Sequence, residues 1–337
     1  MTESTVFYEE DGDIALLKGK TIAVIGYGNQ GRSQAKNLRD SGVHVIVGNK
    51  DDEAGNTART DGFGVFDIPE AVQEAAIVMM LIPDEVMPEV FKFQVAPYLK
   101  QGAALSFASG YTIGFELIQP PDGDDVFMIA PRMIGPGVRD TYIQGSGFPS
   151  FVAVHQDATG NAESLMLAVA KGLGTLKAGA LLMSMRMEAE RDLFTEQAFS
   201  PAFGRVLMAA IETEIKAGYP VEAVLLELLM SGELIYSLAK IVDVGLIEQM
   251  RFHSQTSQYG TMTRSFHYLD LPLEAKMKKT LDDIRSGAFT NEWQEEQRTG
   301  MKNFHALAEV RKELPIREWQ RKTRAVFRNI GKNTKKA

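Results

Sequence analysis

Apolar residues follow two rhythms along this chain. In the first half they come as short continuous runs, at 21–25, 43–47, 77–82, 104–108, 126–130 and 150–154. Runs of that length, bounded by turn residues, predict strands buried on both faces. Stretches with a polar face separate several of them and predict helices, the first from Arg32 to Arg39. Strands alternating with helices imply an α/β fold with a parallel, doubly wound sheet. Near residue 182 the rhythm changes. Helical periodicity runs over 188–216, 221–246 and 270–286, and no convincing strand follows as far as about residue 327. Pro220, after Gly218-Tyr219, suits a first helical position. The expected organisation is a doubly wound domain over 1–182, an all-helical domain over 183–327 and a basic tail over 328–337. The junction at 178–183 reads as short and packed, and the chain has no internal repeat.

The first apolar run feeds directly into a glycine pattern, Thr21-Ile-Ala-Val-Ile-Gly-Tyr-Gly-Asn-Gln-Gly31. A strand, G-x-G-x-x-G and a helix N-terminus form a cradle for a dinucleotide pyrophosphate. Gly26 permits the tight turn. Gly28 lets the backbone approach the phosphates. Gly31 lets the helix pack on the strand, and free N–H groups at the helix start face the anion. The second strand, Val43–Val47, ends about 20 residues on, as this motif requires. The alternative is a glycine turn in an unrelated α/β protein. In an open parallel sheet the ligand lies beyond the carboxyl ends of the strands. That edge collects Leu81-Ile-Pro-Asp-Glu85, Phe107-Ala-Ser-Gly110 and Ala130-Pro-Arg132, each an ordinary turn if taken alone. The candidate cofactor contacts are Gly26, Tyr27, Gly28, Asn29, Gln30, Gly31, Asn49, Lys50, Asp51, Asp52, Leu81, Pro83 and Asp84.

Composition narrows the class. At 337 residues the chain exceeds the usual single core. No apolar run approaches the length of a membrane span, and Met1 to Asp13 is too acidic and polar for a signal peptide. A net charge of −8 argues against a nucleic-acid partner. The cluster of seven Lys and Arg from Arg321 to Ala337 reads as a solvated tail. With no cysteine the chain has no disulfide, thiolate metal site or cysteine nucleophile, which fits a cytoplasmic setting. His44, His155, His253, His267 and His305 show no metal-ligand spacing, and nothing resembles a Ser-His-Asp set.

Two carboxylate features stand out in the helical half. Asp192 and Glu196 are four apart, hence on one face of an α-helix, where two acids repel unless a cation lies between them. Oxygen ligands of this kind suit Mg²⁺, although two solvated surface acids would look the same. Glu227 sits in Val224-Leu-Leu-Glu-Leu-Leu-Met230, where a charge is costly unless paired or metal-bound. An exposed helix edge is the alternative.

Taken together, the motifs resemble one family. Phe7-Tyr8, Leu17-Lys-Gly-Lys20, Gly26-Tyr-Gly-Asn-Gln-Gly31, Leu81-Ile-Pro-Asp-Glu85, Val154-His-Gln-Asp157, Asp192-Leu-Phe-Thr-Glu-Gln197 and Tyr259-Gly260 recur in order in ketol-acid reductoisomerases of the short class. The resemblance covers about residue 6 to residue 327. It implies a Rossmann domain followed by a knotted helical domain. It also implies dimers or larger assemblies with the active site between subunits. Two Mg²⁺ ions would shift an alkyl group in a 2-acetohydroxy acid, and a nicotinamide hydride would reduce the resulting ketone, for valine and isoleucine synthesis. By the same resemblance Asp192 and Glu196 are metal ligands, Glu227 is a metal and substrate residue given by the partner subunit, and Ser254 holds the substrate carboxylate. The loop before Tyr259 is about one residue shorter than in the family.

Three positions depart from the family pattern. Ser231 stands where the family has a further metal-binding glutamate, Ser109 where it has a histidine, and Arg132 where it has a lysine, followed by Met133-Ile134 in place of Gly-Pro. The catalytic set expected from the resemblance is then Arg132, Ser109 and Glu196. A serine hydroxyl is a poor Mg²⁺ ligand, and an arginine is not a compact point donor. Alkyl migration needs both substrate oxygens polarised, whereas hydride transfer needs less. The alternative to the family reaction is therefore reduction of another small keto or imino acid without migration. A non-catalytic cofactor-binding relative ranks third. Asp51, Asp52 and Glu53 outnumber Lys50 after the second strand and would repel a 2′-phosphate, which leans the cofactor toward NADH over NADPH unless the loop only faces solvent.

Overall fold

The computed structural model describes residues 4–327, so the basic tail lies outside the described residues. Contacts divide the chain into two compact units between Leu193 and Phe194.

Among the described residues the first unit has a nine-stranded sheet: β1 (Val6–Phe7), β2 (Thr21–Ile25), β3 (His44–Gly48), β4 (Gly64–Phe66), β5 (Ile77–Met80), β6 (Ala104–Phe107), β7 (Asp125–Pro131), β8 (Ser150–Gln156) and β9 (Ala180–Leu182). Their order is β1-β9-β8-β7-β6-β5-β2-β3-β4. The α-helices are α1 (Asn29–Asp40), α2 (Glu53–Thr60), α3 (Ile68–Glu74), α4 (Met87–Val90), α5 (Tyr111–Gly114), α6 (Gly135–Gln144), α7 (Ala162–Leu173) and α8 (Met185–Phe194), with short 3-10 turns and a π turn at Phe91–Val95 alongside them.

From β4 across to β7 every pairing is parallel. The doubly wound, mostly parallel sheet is as expected from the alternation; at β8 the direction reverses, antiparallel to β7. The chain leaves β7, turns through α6 and returns at the same end, where the Arg132 N–H bonds the Pro149 carbonyl at 2.8 Å. A return across one end makes antiparallel neighbours. The strands that apolar runs missed, β1, β4 and β9, hold only two or three residues each, too few for a period to register.

The parallel strands are apolar on both faces because both faces are covered. Ile22 and Val24 of β2 enter one core with Leu38, Phe127, Phe148 and Leu173. Ala23 and Ile25 enter the other with Val78, Phe107 and Met128. Each fully buried Ile or Val contributes roughly 1.5–3 kcal/mol.

The described part of the second unit is helical: a π-helical turn at Thr195–Phe199, then α9 (Ser200–Lys216), α10 (Val221–Leu225), a π turn at Leu226–Met230, α11 (Glu233–Val244), α12 (Gln255–Ser265), α13 (Leu273–Arg285), α14 (Ala288–Arg298), α15 (Lys302–Lys312) and α16 (Ile316–Val326). The single stretch expected over 221–246 is broken at Gly232, whose φ of +92° only glycine adopts freely. The core of this unit is small. Ile211, Val224 and Leu225 are buried, with Leu207, Met208, Ile316 and Trp319 packed on them. No described helix is long and apolar enough to cross a membrane.

Candidate active site

Strands β2, β3, β5, β6 and β7 all point their carboxyl ends at one edge of the sheet. The strand order reverses between β5 and β2, which opens a crevice there. The glycine turn fills one side of it. Gly26 takes φ +92°, and a Cβ there would strike Ile82 at 2.6 Å. A Cβ on Gly31 would lie 2.1 Å from the Gly26 carbonyl oxygen, so α1 packs hard against the turn. Around Gly28, by contrast, a Cβ would meet no atom within 4 Å. Gly28 opens α1, and the first N–H groups of the helix follow it. This is a cradle that a dinucleotide phosphate fits and that a side chain would fill.

The neighbouring loops are tied to this turn. Asn49, at the end of β3, is buried; its Oδ1 accepts the Tyr27 N–H, and its Nδ2 donates to the Asp52 carboxylate. Asp52 caps α2 by accepting the Gly55 N–H, and that bond holds its carboxyl below the usual range. Asp51 is exposed, and Lys50 lies 3.7 Å from Asp52. Leu81 continues β5 with its N–H on the Ile25 carbonyl, which sets Leu81-Ile-Pro-Asp84 beside Gly26. The Gln30 amide donates to the Met133 carbonyl, so the segment after β7 also touches the turn. Behind it, Asp61 receives bonds from Arg32, Lys36 and the Tyr27 hydroxyl. The bond from Arg32 is the main cause that keeps the Asp61 carboxyl far below its ordinary value, while burial first and then Asp61 push the Tyr27 hydroxyl up.

A second cluster lies where β6 and β7 end. Arg132 donates from Nη2 to Glu188 at 2.6 Å and from Nη1 to Asp192 at 2.9 Å. Its guanidinium sits 4.8 Å from the Phe151 ring centre. Glu188 is fully buried and also accepts the Gly110 N–H at 2.6 Å. Burial pushes its carboxyl up, and the Gly110 and Arg132 bonds oppose that. A Cβ on Gly110 would lie 2.0 Å from the Met185 carbonyl, so the loop after β6 is pinned to α8. Ser109, the residue before it, accepts the Tyr111 N–H and shapes that loop.

Glu188 was not among the candidates. It stands one helical turn before Asp192, and Glu188, Asp192 and Glu196 form a four-residue ladder of acids in the sequence. Like charges stacked at that spacing were the available signal. They are masked by Arg186, Glu190 and Arg191, which make the segment read as a solvated face.

The remaining candidates belong to the second unit. Glu196 and Glu227 are both exposed, and both sit in π turns. The helix that carries Asp192 runs on into the π turn that carries Glu196. Glu227 takes the exposed-edge alternative: the apolar residues around it point elsewhere, and its charge needs no buried partner within the chain. Extra-residue turns of this type are frequent at functional sites. Ser254 caps α12, its Oγ accepting the Ser257 N–H, and Ser231 is exposed just after the π turn at Leu226–Met230. Among the described residues no group of three His, Cys, Asp or Glu side chains could hold a metal ion. The donor types of Asp192, Glu196 and Glu227, hard carboxylate oxygens, are nonetheless those Mg²⁺ takes.

Comparison with known proteins decides the family. Residues 16–179 match the acetohydroxy acid isomeroreductase NADPH-binding domain, and residues 185–329 match the ketol-acid reductoisomerase C-terminal domain. The chain belongs to the ketol-acid reductoisomerase family. The ketol-acid reductoisomerase (NADP(+)) of Petrotoga mobilis is 42% identical over 324 residues, covering 95% of this chain and 97% of that protein. That of Pyrobaculum neutrophilum is 40% identical over 313 residues, covering 92% and 95%. A solved NADH-preferring ketol-acid reductoisomerase from an uncultured archean superposes with a TM-score of 0.91 at 33% identity, covering 96% of this chain and 99% of that one. This member of the ketol-acid reductoisomerase family is thus an NAD(P)H-dependent oxidoreductase of the reductoisomerase type, an activity of branched-chain amino-acid biosynthesis.

Proposed function

We propose that this reductoisomerase shifts an alkyl group in a 2-acetohydroxy acid and reduces the product, with NADH as preferred donor, Mg²⁺ as the metal and a second copy of the chain completing the site. The observation that carries the reading is the cluster of Arg132, Glu188 and Asp192 on the same sheet edge as the open glycine cradle. Charge that can orient a polar substrate therefore lies beside the place where a dinucleotide fits. Asp192, Glu196 and a second copy's Glu227 would hold the metal, and Ser254 the substrate carboxylate. When bound, Mg²⁺ supplies polarisation of the substrate oxygens and the nicotinamide supplies hydride. Arg132 keeps positive charge at the edge, and Ser109 and Gly110 fix the loop that closes beside it.

The second copy is supported by exposed apolar surface. In the second unit Val242, Ile247, Phe266 and Leu269 each lie more than two thirds exposed. A monomer rarely leaves so much apolar area in water. The NADH preference is supported by the acids after β3. Asp52 is held ionised by backbone and Asn49, Lys50 lies 3.7 Å from Asp52, and the exposed Asp51 is paired with Arg59 at 3.4 Å, so the acids of this loop outnumber and engage its nearby cations. Their negative charge favours the free ribose 2′-hydroxyl of NADH over a 2′-phosphate. The cysteine-free composition supports a cytoplasmic setting.

Ser109, Arg132 and Ser231 favour a second reading, reduction without migration, since they replace a histidine, a lysine and a glutamate in the family pattern. One assay separates the two. Purified protein with Mg²⁺ and NADH or NADPH receives either 2-acetolactate or the already shifted 3-hydroxy-3-methyl-2-oxobutanoate. Turnover of both, faster with NADH, is the expected result. Turnover of the shifted ketone alone means that migration is lost, and better kcat/KM with NADPH overturns the cofactor preference.

A further inference from the structure

We propose that Arg132 is a resident counter-cation at Asp192, so that a divalent ion takes this carboxylate only by displacing the guanidinium. The proposal rests on the reading of Asp192 as a metal ligand. Every nitrogen of Arg132 is engaged: Nε with the Ala130 carbonyl at 3.3 Å, Nη2 with Glu188 at 2.6 Å and Nη1 with Asp192 at 2.9 Å. The Phe151 ring lies against its face. The two ends of the fork differ. Glu188 is fully buried, and its second oxygen is already taken by Gly110. Removing Arg132 from Glu188 would leave a buried charge without its counter-ion, which is strongly unfavourable. Asp192 is partly exposed, with side-chain exposure of 42%, and it can turn to water or to an ion. The Glu188 end is therefore the anchor and the Asp192 end the exchangeable one.

A divalent ion and the guanidinium cannot share Asp192 comfortably. Both are cations, and at contact distances near a protein surface their repulsion is large. Occupancy is then exclusive: Nη1 or the ion. A planar two-pronged side chain is what makes this possible, since one prong stays on Glu188 while the other blocks Asp192. Lysine carries its three N–H donors on one nitrogen, so it loses the planar two-pronged span by which Arg132 reaches Glu188 and Asp192 from separate nitrogens. The fork acts as a plug on the metal site and lowers metal affinity while keeping the buried acid paired.

The test is Mn²⁺ binding by the full-length protein, followed by electron paramagnetic resonance or calorimetry, without substrate or cofactor. Arg132→Lys is expected to bind Mn²⁺ at least ~10-fold more tightly than the unmodified chain. Asp192→Asn is expected to erase that gain in the double variant while altering the unmodified chain far less. Phe151→Leu removes the ring that steadies the fork and is expected to tighten binding severalfold, which keeps a readout if Arg132→Lys fails to fold. Equal or weaker Mn²⁺ binding in both Arg132→Lys and Phe151→Leu, with native thermal melts, overturns the plug alone. No Mn²⁺ binding by any variant overturns the metal reading of Asp192 and the plug with it.

Discussion

In the first unit every residue of β2 from Ile22 to Ile25 is fully buried, alternately in one core and in the other. In the second unit α11 spans 12 residues and buries none of them, although Leu234, Ile235, Tyr236, Leu238, Ile241 and Val242 lie along it. Both stretches are rich in apolar residues, all four over Ile22–Ile25 and eight of the twelve in α11. What differs is where the covering surface comes from. A two-faced sheet wrapped by its own helices finds all of its cover within about 190 residues of the same chain. The described helices of the second unit have only a small common core, and many of their large apolar side chains are exposed. The cofactor half thus buries its apolar strands within its own chain, whereas the helical half leaves much of its apolar surface exposed, which is the ground for the proposed second copy.

The largest effect is expected from charging the exposed face of the second unit. The double change Val242→Glu with Ile247→Glu alters residues that are 86% and 72% exposed, so in a lone chain it would cost almost nothing. If the face is covered by a second copy, association should weaken by on the order of 3 kcal/mol, a ~100-fold rise in dissociation constant. Sedimentation and activity measured together are the readout. An unchanged mass and full activity would show that no second copy covers this face.

The glycine turn sharpens the other side. Gly31→Ala places a Cβ 2.1 Å from a backbone oxygen and should cost about 2–4 kcal/mol in denaturant titrations. Gly28→Val meets open space, so its stability loss should be small beside that of Gly31→Ala. Yet it should abolish dinucleotide binding, followed by NADH fluorescence, because the side chain takes the phosphate's room. Equal affinity in Gly28→Val would remove the cradle.

A smaller effect is expected at Asp61, which binds Arg32, Lys36 and Tyr27. Asp61→Asn should destabilise the first unit by about 1–3 kcal/mol at neutral pH. Its carboxyl is depressed in the folded chain, so the stabilisation is complete above the ordinary value of 3.8 and is lost as pH falls toward the folded value. The gap between unmodified and variant stability should thus stay constant through neutral pH and close only in strong acid. The smallest effect belongs to the exposed Lys278–Asp282 pair on α13. Asp282→Asn should shift stability by less than ~0.5 kcal/mol, as solvent-screened pairs do.

The cofactor turn was legible because its chemistry is local. Gly26, Gly28 and Gly31 are read by spacing, and strand, turn and helix lie within about 20 residues. The acid ladder was only half legible. Asp192 and Glu196 stood out by spacing, but Glu188 did not, since its importance comes from Gly110 and Arg132, which are 78 and 56 residues away in the chain. Edge strands of two or three residues carry too few positions for a period to show.

By itself the sequence determined the α/β order of elements, the change to helices near residue 182, the glycine cradle and the family. These depend on composition and spacing over short windows, where backbone preference and side-chain period act directly. Only the tertiary structure decided that β8 runs antiparallel, that Glu196 and Glu227 ride on π turns and that Arg132 spans Glu188 and Asp192. Those outcomes depend on which distant segments meet. An arginine fork, a strand's direction and a carboxylate's burial are set by neighbours brought close in space, and spacing along the chain carries no record of them.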